Sequence, residues 1–350
     1  MRIGRHEVGP EHPPLIIAEL SANHNGSLER ALAVVDAVAE AGAQVLKLQT
    51  YTADTITLDS DRPEFLIDNP KSPWAGRRLY ELYQEGSTPW EWHAPIAQRC
   101  AELGLEWFSS PFDPTAVDFL ADLGAPAYKI ASFEIVDLPL IRKAASQGKP
   151  LVISTGMATL AEIDAAVRTA REAGTGEIVL LQCTSTYPAT PANSNLRTIP
   201  HLAQAFGCLV GLSDHTLGLG VPIAAVALGA VVIEKHVTLA RSDGGVDAAF
   251  SLEPDELRAL VVETERARQS LGEARYGPLP EEAASLAHRR SLYITQDLEA
   301  GDELTSENLR SVRPANGLPP AELDALLGQR VGRDVARGTP ASWDLLTPPR

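Results

Sequence analysis

Eight short apolar runs, each bounded by turn-forming residues and separated by longer amphipathic stretches, constrain this chain more than any other feature of its sequence. They are 15–20 (LIIAEL), 44–49 (QVLKLQ), 105–109 (LEWFS), 127–130 (AYKI), 151–154 (LVIS), 178–182 (IVLLQ), 208–212 (CLVGL) and 231–235 (VVIEK). The stretches between them repeat apolar residues at helical spacing. Clear cases are 27–41 with Ser27 placed to cap it, 159–173 with Thr159 ahead of Leu160, and 254–270 with Pro254 just inside the start. Strand-length runs alternating with helix-length stretches predict βα units around a parallel sheet. Eight such units in about 270 residues predict a (β/α)8 barrel, an α/β fold. A doubly wound open sheet is the alternative, but it would carry a glycine-rich phosphate loop after its first strand, and AELSANHNG at 18–26 is not one.

The pattern divides the chain into a barrel at 1–270, a linker at 271–288 rich in glycine, proline and acidic residues, and a small β-rich module at 289–350. Three strand-like pieces stand in that module: SLYIT, SVRPA and RVGRDV. One connection, 51–90, is too long for a plain βα loop and holds Trp74, Tyr80, Tyr83 and Trp90, which marks it as functional. A net charge of −16 excludes binding driven by an extended polyanion such as nucleic acid. No run approaches the roughly 20 apolar residues of a membrane span, and MRIGRHEVGPEHPP lacks the apolar core of a signal peptide, so a cytoplasmic location is expected. Cys100, Cys183 and Cys208 form no CxxC pair, which argues against a disulfide framework or a zinc ribbon.

In a barrel of this kind chemistry belongs to the C-terminal strand ends. Those ends carry Glu19; Lys47 and Gln49; Ser109 and Ser110; Lys129, Ser132 and Glu134; Ser154 and Thr155; Ser185 and Tyr187; Ser213, Asp214 and His215; and Glu234, Lys235 and His236. Only six of the thirty basic residues are lysines, and Lys47, Lys129 and Lys235 are three of them. Lys47 and Lys129 lie in apolar runs where an unpaired ammonium is costly, so something anionic should meet each. Three readings stand: lysine–glutamate pairs inside the barrel, a phosphate or carboxylate substrate held by the lysines and serine hydroxyls, and a Schiff-base aldolase with Lys129 or Lys235 as nucleophile. His215 and His236 end neighbouring strands and could converge on a divalent Mn, Mg or Co ion, or pack as two hydrogen-bonded core histidines. Trp90 and Trp92 read as packing residues, Asn23 and His24 as turn formers or site residues, and Cys183 as a small apolar filler.

The segments IIAELSANHNGS, GAQVLKLQTYTADTITLD, SSPFDPTAVDFL, PAYKIASFEI, PLVISTGMAT, QCTSTYPA, GLSDHTLG, EKHVTL and DAAFSLEP, in that order, resemble the sialic acid synthase family of phosphoenolpyruvate-dependent condensing enzymes. SVRPANGLPP in the C-terminal segment resembles the family's antifreeze-like (SAF) domain. Within the family, KLQTYTADTITLD followed by LYELYQEGSTPWEWH is most similar to pseudaminic acid synthases. The resemblance implies condensation of phosphoenolpyruvate with the open-chain aldehyde of 2,4-diacetamido-2,4,6-trideoxy-L-altrose, with phosphate leaving by C–O cleavage. N-acetylmannosamine and the corresponding diacetamido-trideoxymannose are the alternative acceptors. It implies a phosphoenolpyruvate pocket of Lys47, Ser110, Lys129, Ser132, Ser154, Ser185 and Ser213, with His215 and His236 as metal ligands. It implies sugar contacts from Glu19, Gln49, Glu134, Tyr187 and Asp247, and from Arg313 of the other subunit of a domain-swapped homodimer. Proton transfer would fall to Glu19 or Glu134. Ser110 and Ser185 depart from the family pattern, standing where threonine and asparagine are usual.

Overall fold

The computed structural model describes residues 1–70 and 72–347; Lys71 lies outside them. Two compact units divide the chain, Met1–Gly272 and Glu273–Arg350. The first unit is a closed barrel of eight parallel strands, preceded by a small antiparallel hairpin, β1 (Arg2–Ile3) and β2 (His6–Glu7). The barrel strands are β3 (Leu15–Glu19), β4 (Val45–Thr50), β5 (Glu106–Pro111), β6 (Tyr128–Ile130), β7 (Leu151–Ser154), β8 (Ile178–Cys183), β9 (Leu209–Asp214) and β10 (Val232–His236). Closure comes from β10 pairing with β3, in a register that sets His236 beside Glu19; Glu19 in turn stands beside Lys47 of β4.

Local chemistry accounts for the helices that return the chain between strands. Ser27 accepts a hydrogen bond from Arg30 N at 3.2 Å to start α1 (Leu28–Ala41), and Gly42, at φ 85°, ends it in the left-handed conformation that glycine adopts without strain. The long connection after β4 holds two short helices, α2 (Ala53–Ile56) and α3 (Leu79–Gly86), before α4 (His93–Leu103). The last of these follows directly on a 3-10 turn at Trp90–Trp92. The remaining barrel helices are α5 (Pro114–Asp122), α6 (Leu138–Ala145), α7 (Leu160–Glu172), α8 (Thr198–Phe206), α9 (Gly220–Ala227) and α10 (Pro254–Leu271). Thr159 and Glu162 close a reciprocal capping box at the start of α7. Among the described residues no helix is long and apolar enough to cross a membrane.

Two apolar layers hold the barrel. Outward-facing residues such as Leu46, Leu48, Ile153 and Ile233 pack with the helices, while Ile17, Val45, Phe108, Val152, Val179 and Val232 fill the interior. Ile3 and Val8, from the hairpin region, join the interior cluster, so the N-terminal hairpin plugs the barrel floor. At Gly211 on β9 an added methyl would overlap Val232 O and the Leu181 side chain; the missing side chain leaves the room that Leu181 fills.

The second unit has its own core, built on Leu292, Ile294, Leu309, Leu326 and Val331. Two of its three strand-like pieces form an antiparallel pair, β11 (Ser291–Ile294) with β12 (Leu309–Val312). The third, around 330–335, does not extend as a strand. It makes isolated bridges at Arg330, Val331 and Val335, since Gly332 and the turns around it interrupt any continuous ladder.

Candidate active site

Alternate residues along each barrel strand face the interior, and the interior changes character at one height. Two residues beyond Ile17, Val45, Phe108, Ala127, Val152, Leu181 and Val232 stand Glu19, Lys47, Ser110, Lys129, Ser154, Cys183 and Glu234, and Ser213 stands two beyond Gly211. All eight are buried. An apolar floor therefore carries a polar layer directly above it, at the C-terminal mouth where barrel enzymes place their chemistry.

Charges in that layer are paired. Lys47 Nζ lies 2.8 Å from Glu19 Oε1 and 3.4 Å from Glu234 Oε1, and Lys129 Nζ lies 3.6 Å from the same Glu234 oxygen. Ser213 Oγ donates to Glu234 Oε1 at 2.9 Å. Burial works against the charge on Lys47, but Glu19 and Glu234 outweigh it and raise its pKa. Lys129 goes the other way: burial lowers its pKa, Glu234 pulls it back only in part, and Lys47 adds repulsion. Glu19 is held below the usual carboxylate range; burial opposes this, and His236 and Lys47 overcome it. The buried pairs expected from the sequence thus exist, yet they do not exhaust the donors. Ser110 Oγ and Ser154 Oγ are buried without partners, and Lys129 makes one hydrogen bond, to Ile130 O at 3.3 Å. Ser132 and Ser185 converge across Gly156, where an added methyl would overlap both hydroxyls. Glu134 sits on the 3-10 turn Ser132–Val136 after β6, with Oε2 buried and unpartnered. Burial pushes its carboxyl up to about 7, with Lys129 restraining the rise.

The rings of His215 and His236 lie 5.3 Å apart. His236 Nε2 is 3.2 Å from Glu19 Oε2, and its Nδ1 is buried without a hydrogen bond, 3.9 Å from Asp247 Oδ2. No group of three or more histidine, cysteine, aspartate or glutamate side chains is disposed to hold a metal ion among the described residues. The chain itself offers an imidazole pair with one orphaned nitrogen, which fits an ion that completes its coordination from water and substrate. Gln49 Nε2 donates to Glu19 Oε1 at 2.8 Å and to Ser21 Oγ at 3.0 Å, and Ser21 Oγ donates to Asp247 Oδ2 at 2.5 Å. Tyr187 packs on His215 at 4.4 Å between ring centroids and on Phe250 at 5.2 Å.

Two sequence expectations change. Lys235 is not at the mouth: Glu234 and His236 face inward, so the residue between them faces out. There its ammonium is fully buried, 2.8 Å from Asp214 Oδ2 and donating to Thr216 O. Ser109 likewise points outward and bonds Thr50 Oγ1 at 2.6 Å, with His93 Nε2 on the same hydroxyl at 2.8 Å. Trp90 packs on Phe119 and Trp92 on His24, both as packing residues. Asn23 ties the first loop to Val237 O and Ser251 Oγ. Cys183 is more than filler, since its Sγ lies 4.0 Å from His215 Nδ1. Arg313 belongs to the second unit, immediately after β12. Sequence reasoning missed Ser21 and Phe250, and it offered Glu234 among the carboxylates open to the buried lysines but not as the partner both share. The signal for Glu234 was present, because it shares strand parity with His236.

The sequence pattern of the NeuB family matches residues 34–276, and that of the SAF domain matches 289–347. A pseudaminic acid synthase of Campylobacter jejuni is 43% identical over 92% of this chain and 94% of its own. An N,N'-diacetyllegionaminic acid synthase of Legionella pneumophila is 37% identical over 94% of this chain and 93% of its own. The crystal structure of an N-acetylneuraminic acid synthetase from Leptospira borgpetersenii superposes with a TM-score of 0.72 at 31% identity, covering 82% of this chain and 94% of that one.

Proposed function

The chain belongs to the NeuB family, and from that premise we propose that it is a pseudaminic acid synthase. It condenses phosphoenolpyruvate with the aldehyde of 2,4-diacetamido-2,4,6-trideoxy-L-altrose, taking up water and releasing phosphate by C–O cleavage. The observation that carries this reading is the polar layer of the barrel. Two buried ammoniums and buried, unpartnered serine hydroxyls form a receptor for a small phosphorylated acid on one side, and a carboxylate–imidazole cluster faces it. The acceptor assignment is supported by the greater similarity to a pseudaminic than to a legionaminic acid synthase over comparable lengths.

Lys47 and Lys129, with Ser110, Ser132, Ser154, Ser185 and Ser213, bind the phosphate and carboxylate of phosphoenolpyruvate. Glu19 and Glu234 favour the charged form of Lys47 in the empty site, whereas burial weakens the charge on Lys129, which an incoming anion would strengthen. Glu19, Gln49, Tyr187 and Asp247 orient the sugar. As the enol carbon bonds to the aldehyde carbon, the aldehyde oxygen takes a proton, and Glu134, whose carboxyl stays protonated to about 7, supplies it. His215 and His236 would hold a divalent Mn, Mg or Co ion, which supplies Lewis acidity toward the aldehyde oxygen. Water adds at the former C2 of phosphoenolpyruvate, and phosphate leaves from that carbon as the keto group forms; of the two water protons, one returns to Glu134 and one departs with phosphate. A Schiff-base route through Lys235 has no support, since that amine is clamped by Asp214 on the outer barrel face. The resemblance further assigns Arg313 to the sugar of the partner chain in a homodimer. Three unpaired cysteines suit a reducing compartment, and we assign the chain to the cytoplasm.

Phosphate release is the test. With phosphoenolpyruvate and a divalent ion, the trideoxy-L-altrose substrate should give the highest kcat/KM in a panel that includes N-acetylmannosamine and the diacetamido-trideoxymannose. No release with any of the three sinks the condensing reading, and a preference for either of the others reassigns the acceptor.

A further inference from the structure

The long connection after β4 is drawn across the barrel mouth by one side chain. Leu66 bridges Arg78 and Ile67 N donates to Arg77 O, so the chain doubles back on itself and carries Trp74 near the tip of the turn. The indole Nε1 donates to Val246 O at 2.9 Å, a carbonyl in the segment after β10 and next to Asp247. The Trp74 ring lies 5.6 Å from Tyr187, Tyr187 lies 4.4 Å from His215, and Phe250 meets Tyr187, His215 and His236 at 5.2, 6.1 and 5.0 Å. Three aromatic side chains from three different connections therefore stand in a row beside the histidine pair. The indole N–H is already spent on Val246 O, so Trp74 adds π-surface to the mouth and no free donor.

The geometry points to Trp74 as a specificity-determining residue: with Tyr187, backed by the buried Phe250, it forms an apolar wall that favours an acceptor carrying a deoxy C6 methyl or a second acetamido methyl over one carrying a hydroxymethyl arm. This rests on the acceptor reading above and says which part of the chain enforces it. Methyl groups lie well against aromatic faces, whereas a hydroxyl placed there gives up water with no partner in exchange. A loop residue performs this role because the barrel strands are occupied with the phosphorylated acid.

Trp74→Ala and Trp74→Phe, compared with the unmodified chain on the trideoxy-L-altrose substrate and on N-acetylmannosamine, test the assignment by phosphate release. For Trp74→Ala, kcat/KM on the trideoxy sugar should fall by about 10- to 200-fold, the range one apolar contact commands in substrate discrimination. On N-acetylmannosamine it should change by less than about threefold, with KM for phosphoenolpyruvate unaltered. Trp74→Phe should keep most of the preference. An equal fall on both sugars, or no fall on the trideoxy sugar in a variant with unaltered circular dichroism, overturns the wall. Failure of the acceptor reading shows separately, as inactivity of the unmodified chain on the trideoxy sugar, and the proposal then falls with it.

Discussion

Glu134 shows how one residue's environment sets its chemistry. An ordinary glutamate would be ionised at neutral pH, but burial with one oxygen unpartnered raises this carboxyl to about 7. The sign follows: the protonated form donates, so its contribution to turnover is present below about 7 and lost as pH rises through that value. Glu134→Gln should flatten this limb of the kcat/KM profile while lowering its plateau, a result read from phosphate release between pH 5.5 and 8.5. The same shift costs stability. The unfolded carboxyl ionises near the ordinary 4.5, so between there and about 7 the unfolded state loses its proton first and stability falls with rising pH. The cost reaches about 3 kcal/mol, which the glutamine removes. At this scale the sequence named most of the polar layer, because strand ends in a βα pattern can be located from hydrophobic runs alone. It did not name Ser21 or Phe250, whose place depends on how loops cross the mouth.

At the scale of elements, β9 and β10 show why three consecutive polar residues at a strand end cannot share one role. Glu234 and His236 face the interior, and Lys235, between them, faces the helices with Asp214 of the neighbouring strand as its partner. Asp214 also accepts from Thr216 N and Oγ1 at 3.0 Å each, so this clip fixes the loop that begins at His215. Lys235→Met leaves Asp214 as a buried carboxylate without its cation, which should destabilise the barrel by about 3–5 kcal/mol. Pairing it with Asp214→Leu should recover much of the loss in urea unfolding, because removing both charges leaves neither stranded. An unchanged midpoint in the single variant would show that the pair carries no structural load. The period-two pattern made this legible in principle. Reading all three residues as mouth residues ignored that neighbours on a strand face opposite sides.

Over the whole molecule, the chain divides into two units with separate cores. The barrel holds its polar layer on its own strands, and Arg313 stands on the C-terminal unit after β12. Arg313→Ala removes an exposed guanidinium from a unit whose core it does not enter, so melting should be unchanged. Turnover should fall by about 30- to 100-fold, the worth of a charged hydrogen bond to substrate. Mixing Arg313→Ala with Lys129→Ala should restore part of the activity if each chain serves its partner's sugar. No recovery after co-refolding would place the arginine in its own chain's site or outside any site. The sequence by itself determined the barrel, the Ser27 and Thr159 caps, the Pro254 helix start and which strand ends carry polar groups. These follow from local periodicity and from steric and hydrogen-bonding preferences within a few residues. Only the tertiary structure decided that Lys47 and Lys129 share Glu234, that Lys235 takes Asp214 as its partner, and that Trp74 meets Tyr187. Each of these contacts joins residues distant in the chain, and it exists only once the strands and their connections have come together in the barrel.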